Sequence, residues 1–376
     1  MKRLFKIVKY TMITLLSLVV FLALATFIFL KQPQFGQAAS GKRLERMNQS
    51  KHFRDGVFLN QSFTPPLTEG YSMTSVLFDF FFKSIPNKTP GKALPHIKTD
   101  LKSLPADSNV VVWFGHSSYY MQLNGVKILV DPVFSGNASP IPSTTRAFAG
   151  ANTYGVKDFP GIDVLLISHD HYDHLDYSTI KELKGKVKKV ICGLGVGAHF
   201  EHWGYDPKII SEHDWNETIS LNDDFKIHTL PARHFSGRSF KRNNTLWMAY
   251  LLETPEKKIF VGGDGGYDAH FAEIGKRFGS IDLAILENGQ YNVAWHAIHC
   301  LPEEVVQAGK DLHAKRVLPV HSSKFSLALH SWDEPLKEVS RIAKSQNLPL
   351  VTPMIGEVVW MDNEQQVFKE WWKELK

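Results

Sequence analysis

Residues 168–176 read Ser-His-Asp-His-Tyr-Asp-His-Leu-Asp (SHDHYDHLD). His169, His171, Asp173 and His174 fall within six positions of that stretch. The run Ile162-Asp163-Val164-Leu165-Leu166-Ile167 before it is short, apolar and β-branched, which predicts a buried strand. Asp176 or Ser178 after it is a helix N-cap candidate. The imidazoles and carboxylate therefore sit on a tight strand-to-helix loop, anchored at both ends. Neutral imidazole nitrogens and carboxylate oxygens bind zinc at about 2.0–2.2 Å. His169 and His171, two apart in extended backbone, point to one side. Asp173 and His174 face a second position one turn further on. The spacing suits two adjacent ions, which in two-metal sites stand roughly 3.5–4 Å apart. The plainer alternative is a polar surface loop that happens to be rich in His and Asp. The two-His helical pattern HExxH is absent.

Three further stretches end a predicted strand on a possible ligand. IHTLPARH (227–234) ends on His234, IFVGGDGG (259–266) puts Asp264 in a glycine-rich turn, and LPVH (318–321) ends on His321. A lone strand-end His is more often structural. Together with the loop, these stretches supply seven ligands from four strand ends, the usual way a site is built on a rigid scaffold.

Between them the pattern alternates. Strands are predicted at 110–114, 119–123 and 126–130, the last two joined by Asn124-Gly125, a two-residue hairpin signal. Further strands are predicted at 187–192, 226–230, 246–252, 258–261, 281–286 and 316–320. Helices are predicted at 178–183, 196–203, 268–278, 302–313 and 334–345. Pro302, Glu303 and Glu304 favour the start of one of these. Runs of strands with helices between them give a mixed α/β (α+β) class with helices covering sheets.

The chain has 376 residues and a formal net charge of +5. Residues 1–54 carry ten Lys or Arg and one acid, so the remainder is mildly acidic. That argues against nucleic acid as a partner, because phosphate neutralisation needs a basic face. Cys192 and Cys300 lie in no CxxC pair and read as two buried thiols. Tyr10–Leu30 runs 21 residues without a charge, long enough for a bilayer core. It predicts a single N-terminal membrane anchor over 1–30; a signal peptide cleaved near Gln37-Ala38-Ala39 is the alternative. Lys2, Arg3, Lys6 and Lys9 favour a cytoplasmic N-terminus and a catalytic domain on the non-cytoplasmic side. Residues 31–108 read as a linker and accessory segment. In it Leu77-Phe78-Asp79-Phe80-Phe81-Phe82 predicts packing on the main domain more than lipid contact. The main domain is placed at 109–376.

HDHYDH, with the later His, Asp and His in order, resembles the metallo-β-lactamase superfamily. The resemblance is closest to the branch of N-acylphosphatidylethanolamine-hydrolysing phospholipase D. It runs from about Asn109 to Trp360 and includes WFGHSS (113–118), DPVFSGNASP (131–140), ENGQYN (287–292) and HCLPEEVVQAG (299–309). It implies a four-layer αββα sandwich and two Zn²⁺, although the same ligands accept iron or manganese. His169, His171 and His234 would hold one ion; Asp173, His174 and His321 would hold the other; Asp264 would bridge them. Tyr172 and His299 match residues lining the phosphate pocket. His116 and Asp131 match groups that orient ligands.

The implied activity is phosphodiester hydrolysis of a phospholipid by a metal-bridging hydroxide, with Asp173, Asp264 and His299 as catalytic groups. A lactonase resembling ascorbate-6-phosphate lactonase and a non-catalytic metal-binding module are the alternatives. Gly265 stands where the family commonly has Ser or Thr, and Ser322-Ser323 where it commonly has Trp-Gly. The Tyr291–His299 stretch is also shorter than in the animal enzyme. These departures touch the shape of the substrate pocket rather than the ligands.

Overall fold

A computed structural model of the chain describes residues 1–375. Helix α1 (Lys2–Phe29) is followed by α2 (Gly41–Gln49), a small hairpin of β1 (Phe53–Arg54) and β2 (Val57–Phe58), and α3 (Met73–Phe82). Then come β3 (Val110–Trp113), β4 (Tyr119–Leu123), β5 (Val126–Val130), β6 (Ile162–Leu166), α4 (Tyr177–Leu183), β7 (Val187–Gly193) and α5 (Gly197–His202). Next are β8 (Ile210–His213), β9 (Thr218–Asn222), β10 (Phe225–Leu230), β11 (Ala249–Glu253) and β12 (Lys258–Val261). The chain closes with α6 (His270–Phe278), β13 (Leu283–Glu287), α7 (Pro302–Asp311), β14 (Val317–Val320), α8 (Glu334–Ser345) and β15 (Val358–Trp360).

The larger strands form two sheets, ordered β15-β3-β4-β5-β6-β7-β8 and β14-β13-β12-β11-β10-β9. Alternate residues of a strand face opposite ways. Val111 of β3 therefore joins the core between the sheets, with Tyr250, Val261 and Ile285 of the second sheet. Its neighbour Val112 joins an outer core under α4 and α5, with Ile180, Leu183 and Phe200. On the far side, Ile274 of α6, Val305 of α7 and Val339 of α8 cover the second sheet. The result is four layers, helix–sheet–sheet–helix. The parallel pairs β6/β7, β12/β13 and β13/β14 are each joined through a crossover helix.

Asn124 (φ 48°) and Gly125 (φ 75°) are both left-handed, as a two-residue hairpin turn between β4 and β5 requires. Besides the short β1/β2 hairpin, three strands of the two large sheets escape the sequence pattern. β8 and β9 carry mostly exposed or half-buried residues, so they lack a clean alternation. β15 has three residues and forms only by pairing with the distant β3. The strand expected from Leu246 begins at Ala249 instead. Leu246 N–H and Met248 N–H donate across to Leu194 and Ser168, leaving the β10 ladder until Ala249.

The 31–108 segment is ordered against the sandwich: Met47, Phe53, Phe58 and Leu94 are buried in its core. The aromatic cluster on α3 divides. Val76 and Phe80 pack beside Trp295 and Ile298, whereas Phe78, Phe81 and Phe82 are 62%, 78% and 73% exposed. Cys192 and Cys300 are free and buried. Helix α1 buries no residue against the rest and is long and apolar enough to cross a membrane.

Candidate metal centre

The His-rich loop leaves β6 and ends at Asp176, whose carboxylate caps α4 by accepting from Ser178 N–H at 3.2 Å. Both ends of the loop are tied. Ser168 N–H donates to Asp131 Oδ1 at 2.8 Å, and Ser168 accepts from Met248 N–H. β10, β12 and β14 of the other sheet deliver His234, Asp264 and His321 to the same place.

His169 Nε2 lies 2.8 Å from His171 Nδ1, which lies 3.3 Å from His234 Nε2. Two nitrogens bound tetrahedrally to one zinc ion at about 2.0–2.1 Å stand about 3.4 Å apart. Beside them, His174 Nε2 is 3.6 Å from Asp173 Oδ2, and His321 belongs to the same group of converging ligand atoms. Asp264 lies between the two groups. Its Oδ2 is 3.1 Å from His174 Nε2, 3.9 Å from His234 Nε2 and 4.0 Å from His169 Nε2; its Oδ1 is 3.1 Å from His321 Nδ1. Among the described residues, His174 Nε2 and Asp264 Oδ1 are buried without a hydrogen-bond partner. Buried polar atoms are nearly always satisfied. Orphaned ligand atoms among converging imidazoles and carboxylates fit divalent metal.

The protonation states agree. Burial, reinforced by neighbouring imidazoles, holds His169, His234 and His321 well below the usual histidine pKa, in the neutral form a metal needs. Burial and nearby imidazoles also act on His171, lowered to about 4. His174 goes the other way: burial opposes its charge, but the Asp264 and Asp173 carboxylates outweigh burial and raise its pKa. Burial pushes Asp264 up to about 6. A proton on His174 supplies positive charge between two carboxylates, the place a bound cation would take.

The orienting partners lie one layer out. His116 Nε2 is 2.8 Å from Asp173 Oδ2, and Asp131 Oδ2 is 2.9 Å from His174 Nδ1. Ser117 Oγ is 2.9 Å from His321 Nδ1, and His234 Nδ1 donates to the Ile298 carbonyl at 2.9 Å. Such contacts fix ring orientation and tautomer. His299 approaches the centre with its Nδ1 2.7 Å from Glu287 Oε2. Sequence reasoning passed over Glu287, Ser117 and Asp170. The signal for Glu287 was present: a lone acid ending the apolar strand Leu283-Ala284-Ile285-Leu286.

Tyr172 does not line the metal cleft. Its hydroxyl donates to the Arg238 carbonyl and its ring faces Phe35 and the Arg238 guanidinium, on the other side of the loop. The cleft itself, about 260 Å³, has His171, Asp173, Asp264, His299 and His321 on its polar side. Met73, Val76, Phe80, Phe235, Trp295 and Leu327 form its apolar side, with Arg242 at the edge.

Residues 126–322, just over half the chain, match the Beta-lactamase superfamily domain. The chain belongs to the metallo-β-lactamase superfamily. It is a metal-dependent hydrolase of that family, similar to N-acylphosphatidylethanolamine-hydrolysing phospholipases D. It is 34% identical over 242 residues to the mitochondrial enzyme of that name from Saccharomyces cerevisiae, covering 62% of this chain and 51% of that one. An uncharacterized protein of Mycobacterium tuberculosis is 33% identical over 330 residues, 86% of this chain and 88% of its own. Among solved structures, a metallo hydrolase from Ignicoccus hospitalis shares the fold, with a TM-score of 0.52 at 19% identity over 67% of this chain and 97% of that one. The diiron β-hydroxylase CmlA from Streptomyces venezuelae also shares it, at 0.51 and 17%, over 68% of this chain and 55% of that one.

Proposed function

We propose that this superfamily member is a membrane-anchored phosphodiesterase that hydrolyses a phospholipid of the N-acylphosphatidylethanolamine type with two zinc ions. The observation that carries the reading is the cleft's composition: five polar groups of the metal centre face a wall of apolar and aromatic side chains. A phosphodiester with acyl chains fits that division, phosphate to the polar side and hydrocarbon to the other. The exposed Phe78, Phe81 and Phe82 continue the apolar wall outward along α3. The likeness to the yeast phospholipase D supports the same substrate class.

His169, His171 and His234 would hold one ion and Asp173, His174 and His321 the second, with Asp264 placed between the two groups. Bound ions of this kind lower the pKa of water towards 7 and neutralise phosphate charge. Asp173, kept ionised by the neighbouring His174 and His116 despite its burial, accepts a hydrogen bond from the attacking water. Glu287 holds His299 Nδ1, leaving Nε2 to donate to a phosphate oxygen and to protonate the departing alcohol. Helix α1 is the anchor, with the catalytic domain on the non-cytoplasmic side.

The full chain, purified in detergent, is analysed for metal and offered N-acylphosphatidylethanolamine, an aryl phosphodiester and a panel of lactones. Two bound metals and turnover of both phosphodiesters are expected. Turnover of lactones alone would make it a lactonase; bound metal with no turnover would make it a binding module. A reporter fused to the C-terminus tests the orientation, and a cytoplasmic signal would reverse it.

A further inference from the structure

The segment that follows the apolar helix does not hang free. Pro33–Phe35 forms a single 3₁₀ turn, and this stem docks on the back of the His-rich loop. Arg238 lies between them. Its Nη1 donates to the carbonyls of Asp170 at 2.6 Å and Leu175 at 2.8 Å. These two residues bracket His171, Asp173 and His174. Its Nε and Nη2 both donate to the Gln34 carbonyl, at 3.1 and 2.7 Å. Arg238 is 4% exposed, and its guanidinium hydrogen-bonds backbone carbonyls. Its charge is satisfied by backbone carbonyls of the loop on one side and of the stem on the other.

Two more contacts tie the stem down. Trp203 Nε1 donates to the Pro33 carbonyl at 2.8 Å. Gln37 N–H donates to His199 Nδ1 at 3.0 Å, and His199 Nε2 lies 3.2 Å from Asp170 Oδ2. The stem therefore reaches the loop by two routes, through Arg238 and through the His199–Asp170 pair. Gly36 makes the fit possible. Its φ is +71°, and a Cβ there would stand 2.1 Å from His199 Nδ1.

We infer that the Pro33–Gln37 stem is a positioning element of the metal centre, acting through Arg238 and His199 to hold the ligand loop in its binding geometry. If the Gln34 carbonyl were withdrawn, the Nε and Nη2 donors of a buried cation would lose their acceptor. The cation would have to reorient or draw in water, releasing the carbonyls that pin Asp170 and Leu175. The segment that follows the apolar helix is thus coupled to the ligand loop through Arg238 and the His199–Asp170 pair.

The inference rests on the cluster binding metal, so the test reads metal binding. Full-length wild type and variants in detergent are titrated with cobalt(II) against a competing chelator, recording affinity and the visible absorption of the bound ion. Gly36→Val should weaken cobalt binding tenfold or more, as loss of an outer orienting contact typically does. It should also alter the absorption bands at saturation. Trp203→Phe loses the indole N–H bond to the stem and keeps an aromatic ring beside Arg238 and His199; it should weaken binding about threefold, and it decides the matter if Gly36→Val does not fold. Gln34→Ala keeps the carbonyl and should match wild type. Wild-type affinity and spectrum in both Gly36→Val and Trp203→Phe would overturn the stem's role alone. No cobalt binding by wild type would overturn the metal centre and the stem's role together.

Discussion

His299 Nδ1 and Glu287 Oε2 stand 2.7 Å apart at the mouth of the metal centre, with Glu287 4% exposed. Glu287 Oε1 accepts from Cys300 N–H at 2.5 Å, so the carboxylate grips the loop that carries His299 as well as its ring. Burial pushes the Glu287 pKa well above the usual carboxylate range. An acid in that setting orients its histidine through one hydrogen bond while the ring stays free to exchange a proton at the other nitrogen.

Glu287→Gln should therefore keep the fold and the metals and lower kcat by about tenfold to a hundredfold, with KM nearly unchanged. His299→Ala should fall further, to about a thousandfold, within the range for a positioned acid–base group. Steady-state kinetics on an aryl phosphodiester, with metal content measured alongside, checks both. An equal loss of metal in either variant would move His299 into the ligand set.

Lys324 is fully buried, donating to the carbonyls of Val133 at 2.8 Å and Phe114 at 3.3 Å. Burial lowers its pKa to about 7, partly opposed by Asp176. The unfolded chain holds this proton up to about pH 10.4. The unfolded state therefore binds more protons between about pH 7 and 10, and Lys324 makes stability rise with pH across that window. Below pH 7 its penalty is complete and constant. Melting temperatures from pH 6 to 10 should climb in the wild type and flatten above pH 7 in Lys324→Met. Parallel curves would show that the ammonium stays charged throughout.

Phe81 and Phe82, 78% and 73% exposed, stand on α3 beside the cleft that Met73, Val76 and Phe80 line. Replacing both with Ser removes little buried area, so the melting temperature should hold. If the face lies in lipid, turnover of N-acylphosphatidylethanolamine in vesicles should drop about tenfold or more while turnover of a soluble aryl diester is unchanged. Equal turnover of vesicle lipid by variant and wild type would remove α3 from the lipid contact.

The sequence by itself made the candidate ligands legible, because they are local chemistry in a repeating grammar. Residues 168–176 announce a candidate metal loop by composition, and His234, Asp264 and His321 each stand within four residues of the end of an apolar strand. The mixed α/β class followed from the alternation of strands and helices, and the four-layer order from the family resemblance. What tertiary structure alone decided are the contacts made across sequence distance. Glu287 reaches His299 twelve positions on, and Arg238 joins the Gln34 carbonyl to those of Asp170 and Leu175. Tyr172 was assigned to the cleft by its place in the motif, yet its side chain lies on the stem side of the loop. β15 needed β3 to exist at all. A side chain's type sets which bonds it can form, but which partner it meets depends on how separate strands pack, and no local pattern encodes that distance.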